Sequence, residues 1–113
     1  MLNVDNLNKF GADTVSGIKR CANNESLYLR LIKTIPANPG FNGLYEAIKA
    51  CNFEDAFSYA HGLKGILANL SLDPILNPMI EVTEHLRNKD NIDYSNYIDE
   101  IERKRKELED LIN

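Results

Sequence analysis

The segment from Ala60 to Leu72 places a histidine, a lysine and glycines at spacings that could support chemistry on one face of a helix. His61 is one of two histidines in the chain, and Lys64 and Gly65 follow it by three and four residues. Positions i, i+3 and i+4 of a helix share a face, so an imidazole, an ammonium and uncovered backbone would lie side by side. A neutral imidazole nitrogen can accept a phosphoryl group, and a nearby ammonium can stabilise the phosphoryl oxygens.

A helix over about residues 53–70 must position these groups. Its apolar residues recur every three or four positions and predict a buried stripe: Phe53, Ala56, Phe57, Ala60, Leu63, Leu67 and Leu70. The remaining residues fall mostly on the other side: Ser58, His61, Gly62, Lys64, Gly65 and Ala68. Glycine inside a helix costs about 1 kcal/mol relative to alanine. Close approach of another surface to the helix backbone is a physical reason for accepting that cost.

The rest of the chain shows helical periodicity and no strand-like alternation. Predicted N-caps divide it into helices: Asp13, Asn24, Asn52 and Asp93. The run from Pro36 to Gly40 contains two prolines and favours a break between two helices. We count four substantial helices and a shorter N-terminal one. The prediction is therefore an all-α, antiparallel up-and-down four-helix bundle with a short extra N-terminal helix, in a single domain over residues 1–113.

Composition narrows the class of function. Hydrophobic residues make up 43% of the 113-residue chain and charged residues 27%, as in folded soluble domains. The 13 basic and 17 acidic residues give a net charge of −4, which argues against nucleic acid as the main partner. The sequence has no run of about 20 apolar residues and no signal-peptide pattern, so we expect a cytoplasmic protein with no membrane partner. Cys21 and Cys51 match no metal spacing and are expected to be reduced, half-buried thiols.

Common catalytic constellations are absent from the sequence. Neither a phosphate-binding glycine loop nor an H-E-x-x-H motif occurs. Ser58 precedes His61 by three residues, but no carboxylate is placed to orient the ring, so a serine hydrolase is a poor interpretation. His61 and His85 could in principle share a metal, a weak case without a defined carboxylate ligand. The neighbours of His85 at four residues, Glu81 and Lys89, indicate an ordinary surface histidine.

The run Ala60-His61-Gly62-Leu63-Lys64-Gly65, followed by Asn69, resembles the histidine-containing phosphotransfer (HPt) domain. The resemblance extends over nearly the whole chain, including residues 17–29, which look like the family's approach to its first long helix. It implies a four-helix bundle that shuttles a phosphoryl group between aspartates of receiver domains. The start at Met1 and the single-domain length favour a free-standing shuttle.

Several residue roles are implied by the resemblance. His61 would be the phosphoacceptor and Lys64 would stabilise the phosphoryl group. The expected partner-binding residues are Ser58, Gly62, Gly65, Ala68 and Asn69, with Tyr28 and Ile32 on a neighbouring helix as further candidates. Partners would be receiver domains of hybrid histidine kinases and response regulators. The chain would be a monomer with no catalytic or nucleotide-binding activity of its own and no cofactor, the Mg²⁺ belonging to the receiver.

Two alternative functions remain open, and one residue departs from the pattern of the family. A pseudo-HPt module would dock a receiver or another signalling partner without phosphotransfer. A metal-dependent enzyme would use His61 and His85. Ser71 stands two residues after Asn69, where the family commonly has a glycine that allows tight packing at the helix end, so a local adjustment is expected there.

Overall fold

The computed structural model describes all 113 residues and consists of helices without strands. The seven helices are α1 (Val4–Phe10), α2 (Thr14–Arg20), α3 (Glu25–Ile32), α4 (Gly40–Lys49), α5 (Phe53–Asn69), α6 (Asp73–Arg87) and α7 (Ser95–Ile112). The predicted all-α class is confirmed. The first three helices have seven or eight residues each, whereas α4 to α7 have 10 to 18. None of them is both long and apolar enough to cross a membrane.

Polar side chains start several of these helices, as predicted. Asp13, Asn24 and Asn52 each accept a hydrogen bond from the backbone N–H three residues later, which satisfies an otherwise unpaired donor of the first turn. The prediction is wrong for Asp93: the N-cap of α7 is Tyr94, and the Asp93 carboxylate accepts the N–H of Ser95 at 2.9 Å from one residue before it. Short polar residues therefore fix where α2, α3 and α5 begin.

The proline-containing segment separates α3 from α4, so the predicted break is confirmed. Asn38 stabilises the turn, because its side-chain oxygen accepts the N–H of Gly40 at 2.7 Å. Arg105 of α7 donates to the carbonyl of Pro36 at 2.8 Å, and its guanidinium lies 4.6 Å from the ring centre of Phe41. The last helix thus holds the break in place.

Helix α5 packs mainly against α4 and α6, and α6 packs against α7. The apolar stripe of α5 joins a continuous core to which every helix except α2 contributes a buried apolar side chain. Its largest fully buried members are Tyr28, Phe41, Leu7, Ile32, Ile35, Leu44, Leu67, Leu72, Ile75, Met79, Leu86 and Ile101. Because neighbouring helices enclose one side of α5, the other side is left at the surface.

The two cysteines differ from the prediction. Both are free, and Cys21 is buried, but Cys51 is exposed in the turn between α4 and α5. Its backbone φ is +56°, in the left-handed region, because it ends α4 and reverses the chain before α5. The expectation of half-buried thiols is wrong for both: Cys21 is buried, and Cys51 lies two residues beyond the end of α4, where the helical spacing no longer points to the core.

Candidate functional site

One surface of α5 carries the predicted partner-binding residues of this helix. Ala56, Ala60, Leu63 and Leu67 face the core on the other side of the helix. The exposed face comprises Ser58, His61, Gly62, Gly65, Ala68 and Asn69. From Ser58 to Asn69 it is about 17 Å long at the rise of an α-helix. We call these six residues the His61 face.

His61 is exposed at the middle of this face and stacks on Phe57, one turn earlier. The two ring centres lie 5.6 Å apart with an angle of 18° between the planes. The guanidinium of Arg87, at the end of α6, lies 5.0 Å from the centre of the Phe57 ring. The imidazole is thus supported on one face by an aromatic ring that also contacts a cation.

Lys64 lies at the edge of the His61 face and is half-buried, rather than fully solvent-facing as predicted. Lysine can cover its aliphatic chain along the protein surface while its charged end stays in water. The ammonium forms no ion pair with a carboxylate, in contrast to Lys104 and Lys106 of α7. A free ammonium one turn from an exposed imidazole is available to an anionic group that approaches from outside.

Gly62 and Gly65 border His61 and have no packing role inside the protein. A Cβ atom placed on either glycine would meet no atom within 4 Å. The contrast is Gly17 of α2, where a Cβ would lie 2.8 Å from the carbonyl oxygen of Leu70. Internal packing therefore explains the glycine at position 17 but neither glycine beside His61.

The end of α5 is anchored by residues that sequence reasoning did not assign to the site. The guanidinium of Arg20 donates to the carbonyls of Ala68 at 2.9 Å and Asn69 at 3.0 Å, and also to the hydroxyl of Ser71. A cation that pairs with the last carbonyls of a helix is favourable at its C-terminus. Arg20 also lines a shallow concavity with Gly65, Ala68 and Asn69, which places its charge beside the His61 face.

Ser71 occupies a left-handed turn with a φ of +53°, which favours glycine. This explains physically why glycine suits the position, and the bond from Arg20 offsets the strain. The hydroxyl of Tyr28 donates to the neighbouring carbonyl of Leu70 at 2.9 Å. Burial raises the pKa of Tyr28 to about 12, so the hydroxyl keeps its proton at neutral pH.

Tyr28 and Ile32 do not extend the surface beside His61. Both side chains are fully buried, and Tyr28 lies under the end of α5. The expectation that this part of α3 joins the partner-binding surface is therefore wrong. The apolar periodicity of this part of α3 comes from residues that face the core and not from a surface beside His61.

His85 is half-buried and fixed by hydrogen bonds, so it is not an ordinary surface histidine. Its Nδ1 lies 2.8 Å from a carboxylate oxygen of Asp90, and its Nε2 lies 3.3 Å from the hydroxyl of Tyr97. These contacts tie the end of α6 to the following loop and to α7. No group of three histidine, cysteine, aspartate or glutamate side chains is arranged to hold a metal ion.

The residues that the sequence interpretation missed are Arg20 and Arg87. Each comes from another helix and reaches α5 through tertiary packing, and neither belongs to a local motif around His61. Phe57 was assigned only to the core stripe, although its half-buried ring also stacks on the imidazole. Comparisons with protein-family models, curated proteins and solved structures found no match to this chain.

Proposed function

We propose that this chain is an HPt-type phosphotransfer protein, a cytoplasmic monomer in which His61 accepts a phosphoryl group from a receiver-domain aspartate and passes it to another receiver. In this proposal the longer helices act as an antiparallel bundle that presents α5. The partners are receiver domains of hybrid histidine kinases and response regulators. The chain needs no cofactor, and the receiver brings its own Mg²⁺.

The observation that carries the proposal is the pairing of an exposed histidine with glycines that the fold itself does not need. Gly62 and Gly65 lower helix stability, yet a Cβ atom added at either position would meet nothing within 4 Å. A surface that approaches from outside would benefit from this open backbone. Lys64 has no carboxylate partner, which leaves its charge for an incoming phosphoryl group.

The transfer step follows from the arrangement. The lone pair of a neutral ring nitrogen of His61 attacks the phosphorus of an aspartyl phosphate. A nitrogen–phosphorus bond forms, the bond from phosphorus to the aspartate oxygen breaks, and the carboxylate leaves with its electron pair. The other ring nitrogen keeps its proton, and nothing is oxidised or reduced. Phe57 limits the tilt of the imidazole, and the ammonium of Lys64 offsets the charge on the phosphoryl oxygens.

Transfer from radiolabelled receiver domains tests this function. The wild-type chain should take up label that is lost in acid, because the phosphorus–nitrogen bond of phosphohistidine is acid-labile. His61→Gln should take up none. His85→Gln is the matched control, since it removes the other histidine and should still be labelled while circular dichroism reports its fold.

The same experiment separates phosphotransfer from the binding-only alternative. A pseudo-HPt module would bind a receiver with similar affinity in the wild-type chain and in His61→Gln, and neither protein would become labelled. Failure of the wild-type chain to take label from any receiver of its own organism would contradict the proposal.

A further inference from the structure

A groove beside His61 lies between the start of α5 and the end of α6. It has a volume of 370 Å³, and its walls include Phe53 and Phe57 of α5 and Leu86 of α6. The two aromatic rings are half-buried and Leu86 is buried, so the floor of the groove is apolar. Since Phe57 also stacks on His61, the groove is continuous with the His61 face.

The rim of this groove is mainly cationic, although the chain as a whole carries −4. Arg87 and Lys89 line it together with a single carboxylate, that of Glu54. Lys89 is exposed and forms no ion pair within the chain. Arg87 pairs with Glu84 on its own helix, with 3.4 Å between Nε and a carboxylate oxygen, and both side chains are about half exposed. Such exposed pairs contribute little, so Arg87 remains available to another carboxylate.

We propose that the α5–α6 groove binds an acidic segment of a protein partner that carries an apolar side chain. The apolar side chain lies over Phe53 and Phe57, and flanking carboxylates pair with Arg87 and Lys89. An aromatic floor with a charged rim is typical of protein recognition sites, where the rim sets partner choice. This inference rests on the proposed function for the kind of partner, a protein. The groove adds a second contact beside His61 that selects among such partners.

A peptide titration tests the groove without any phosphoryl transfer. The probe is a hexapeptide with Leu-Phe at its centre and two aspartates on each side, added to ¹⁵N-labelled protein. We expect amide shifts confined to the groove, at Phe53, Phe57 and Leu86. A peptide with lysines replacing the aspartates should give no such shifts, and one with serines replacing Leu-Phe should bind more weakly.

Substitutions on the rim should change affinity in opposite directions. Arg87→Gln with Lys89→Gln should weaken binding about fivefold, and Lys89→Gln alone about twofold, because each exposed charge pair contributes a few tenths of a kcal/mol or more. Glu54→Gln removes the carboxylate of the rim and should strengthen binding. Lys33→Gln with Arg103→Gln removes the same charge elsewhere on the surface and should leave affinity unchanged.

Four results would overturn the groove proposal. The first is that the peptide shifts amides outside the groove only, and the second is that the acidic and basic peptides bind with equal affinity. The third is that the Arg87 and Lys89 substitutions leave peptide affinity unchanged. The fourth is that the groove amides shift with protein concentration alone. The last result would identify the groove as a contact between two copies of this chain. Absence of phosphotransfer would contradict the proposed function while leaving the peptide result intact, so the two failures are distinguishable.

Discussion

Replacing both glycines beside His61 with alanine should make the protein more stable and slow phosphoryl transfer between the protein and its receiver partners. Gly62 and Gly65 lie inside α5, where the backbone is helical on both sides. An added Cβ at either position meets no atom within 4 Å, so alanine introduces no clash. The substitution removes only the extra backbone freedom of glycine in the unfolded chain and the weaker helix propensity.

The size of the gain follows from helix propensity. Each glycine costs about 0.8–1 kcal/mol relative to alanine in a helix interior. The double variant should therefore gain about 1.5–2 kcal/mol, which corresponds to a rise in melting temperature of roughly 5–10 °C for a domain of this size. Urea unfolding followed by circular dichroism measures the free energy, and radiolabel transfer from a receiver domain measures the rate.

Gly17→Ala is the matched control, since it also adds one methyl group to a helical glycine. Its Cβ would clash with a ring carbon of Tyr28 and lie 2.8 Å from the carbonyl oxygen of Leu70. This overpacking should lower stability by about 1–3 kcal/mol. The double variant at Gly62 and Gly65 should thus be more stable than the wild-type chain, and Gly17→Ala should be less stable.

Two outcomes would refute this account of the glycines. A double variant without added stability would mean that the backbone around His61 is not open. A double variant that is more stable and still exchanges phosphoryl groups at the wild-type rate would mean that partners do not approach these positions.

Three further predictions concern neighbouring residues. Lys64→Ala should slow phosphoryl transfer several-fold and change the free energy of unfolding by less than about 0.5 kcal/mol; a large loss of stability would contradict a phosphoryl-binding role. Arg20→Ala should lower the free energy of unfolding by about 1–2 kcal/mol in urea, because it leaves the last carbonyls of α5 and strained Ser71 without their partner; unchanged stability would refute the anchoring role. Folding raises the pKa of Tyr28 from 10.0 to about 12, so its contribution to stability is complete below pH 10 and is lost as pH rises through 12. The wild-type chain should accordingly lose more stability over that range than Tyr28→Phe, and parallel pH profiles would contradict it.

Much of the helical framework could be predicted because it depends on local sequence. The side chains of Asp13, Asn24 and Asn52 accept nearby backbone N–H groups, so a short stretch of sequence is sufficient to place those helix starts. The break before Gly40 follows from proline, which restricts its neighbours whatever the tertiary structure. The exposed side of α5 likewise follows from the periodicity of its apolar residues.

The remaining features depend on packing between distant segments. Arg20 and Ser71 are 51 residues apart, and no local pattern predicts their contact. The apolar periodicity of α3 places Tyr28 on an amphipathic helix. It does not predict that the Tyr28 hydroxyl donates to the carbonyl of Leu70 beneath α5. The sequence neighbours of His85 are those of a surface histidine. Its side chain is half-buried because α7 packs against α6. Tertiary contacts of this kind decide which apolar residues remain accessible.

Site-resolved nitrogen NMR of the imidazole rings shows directly whether His61 or His85 becomes phosphorylated. The ¹⁵N-labelled chain is mixed with a phosphorylated receiver domain, and the ring nitrogens of His61 and His85 are followed separately. We predict that a ring nitrogen of His61 acquires the shift of phosphohistidine while both nitrogens of His85 stay unchanged. Phosphorylation of His85, or no change at His61 in the presence of receivers that carry phosphate, would contradict it.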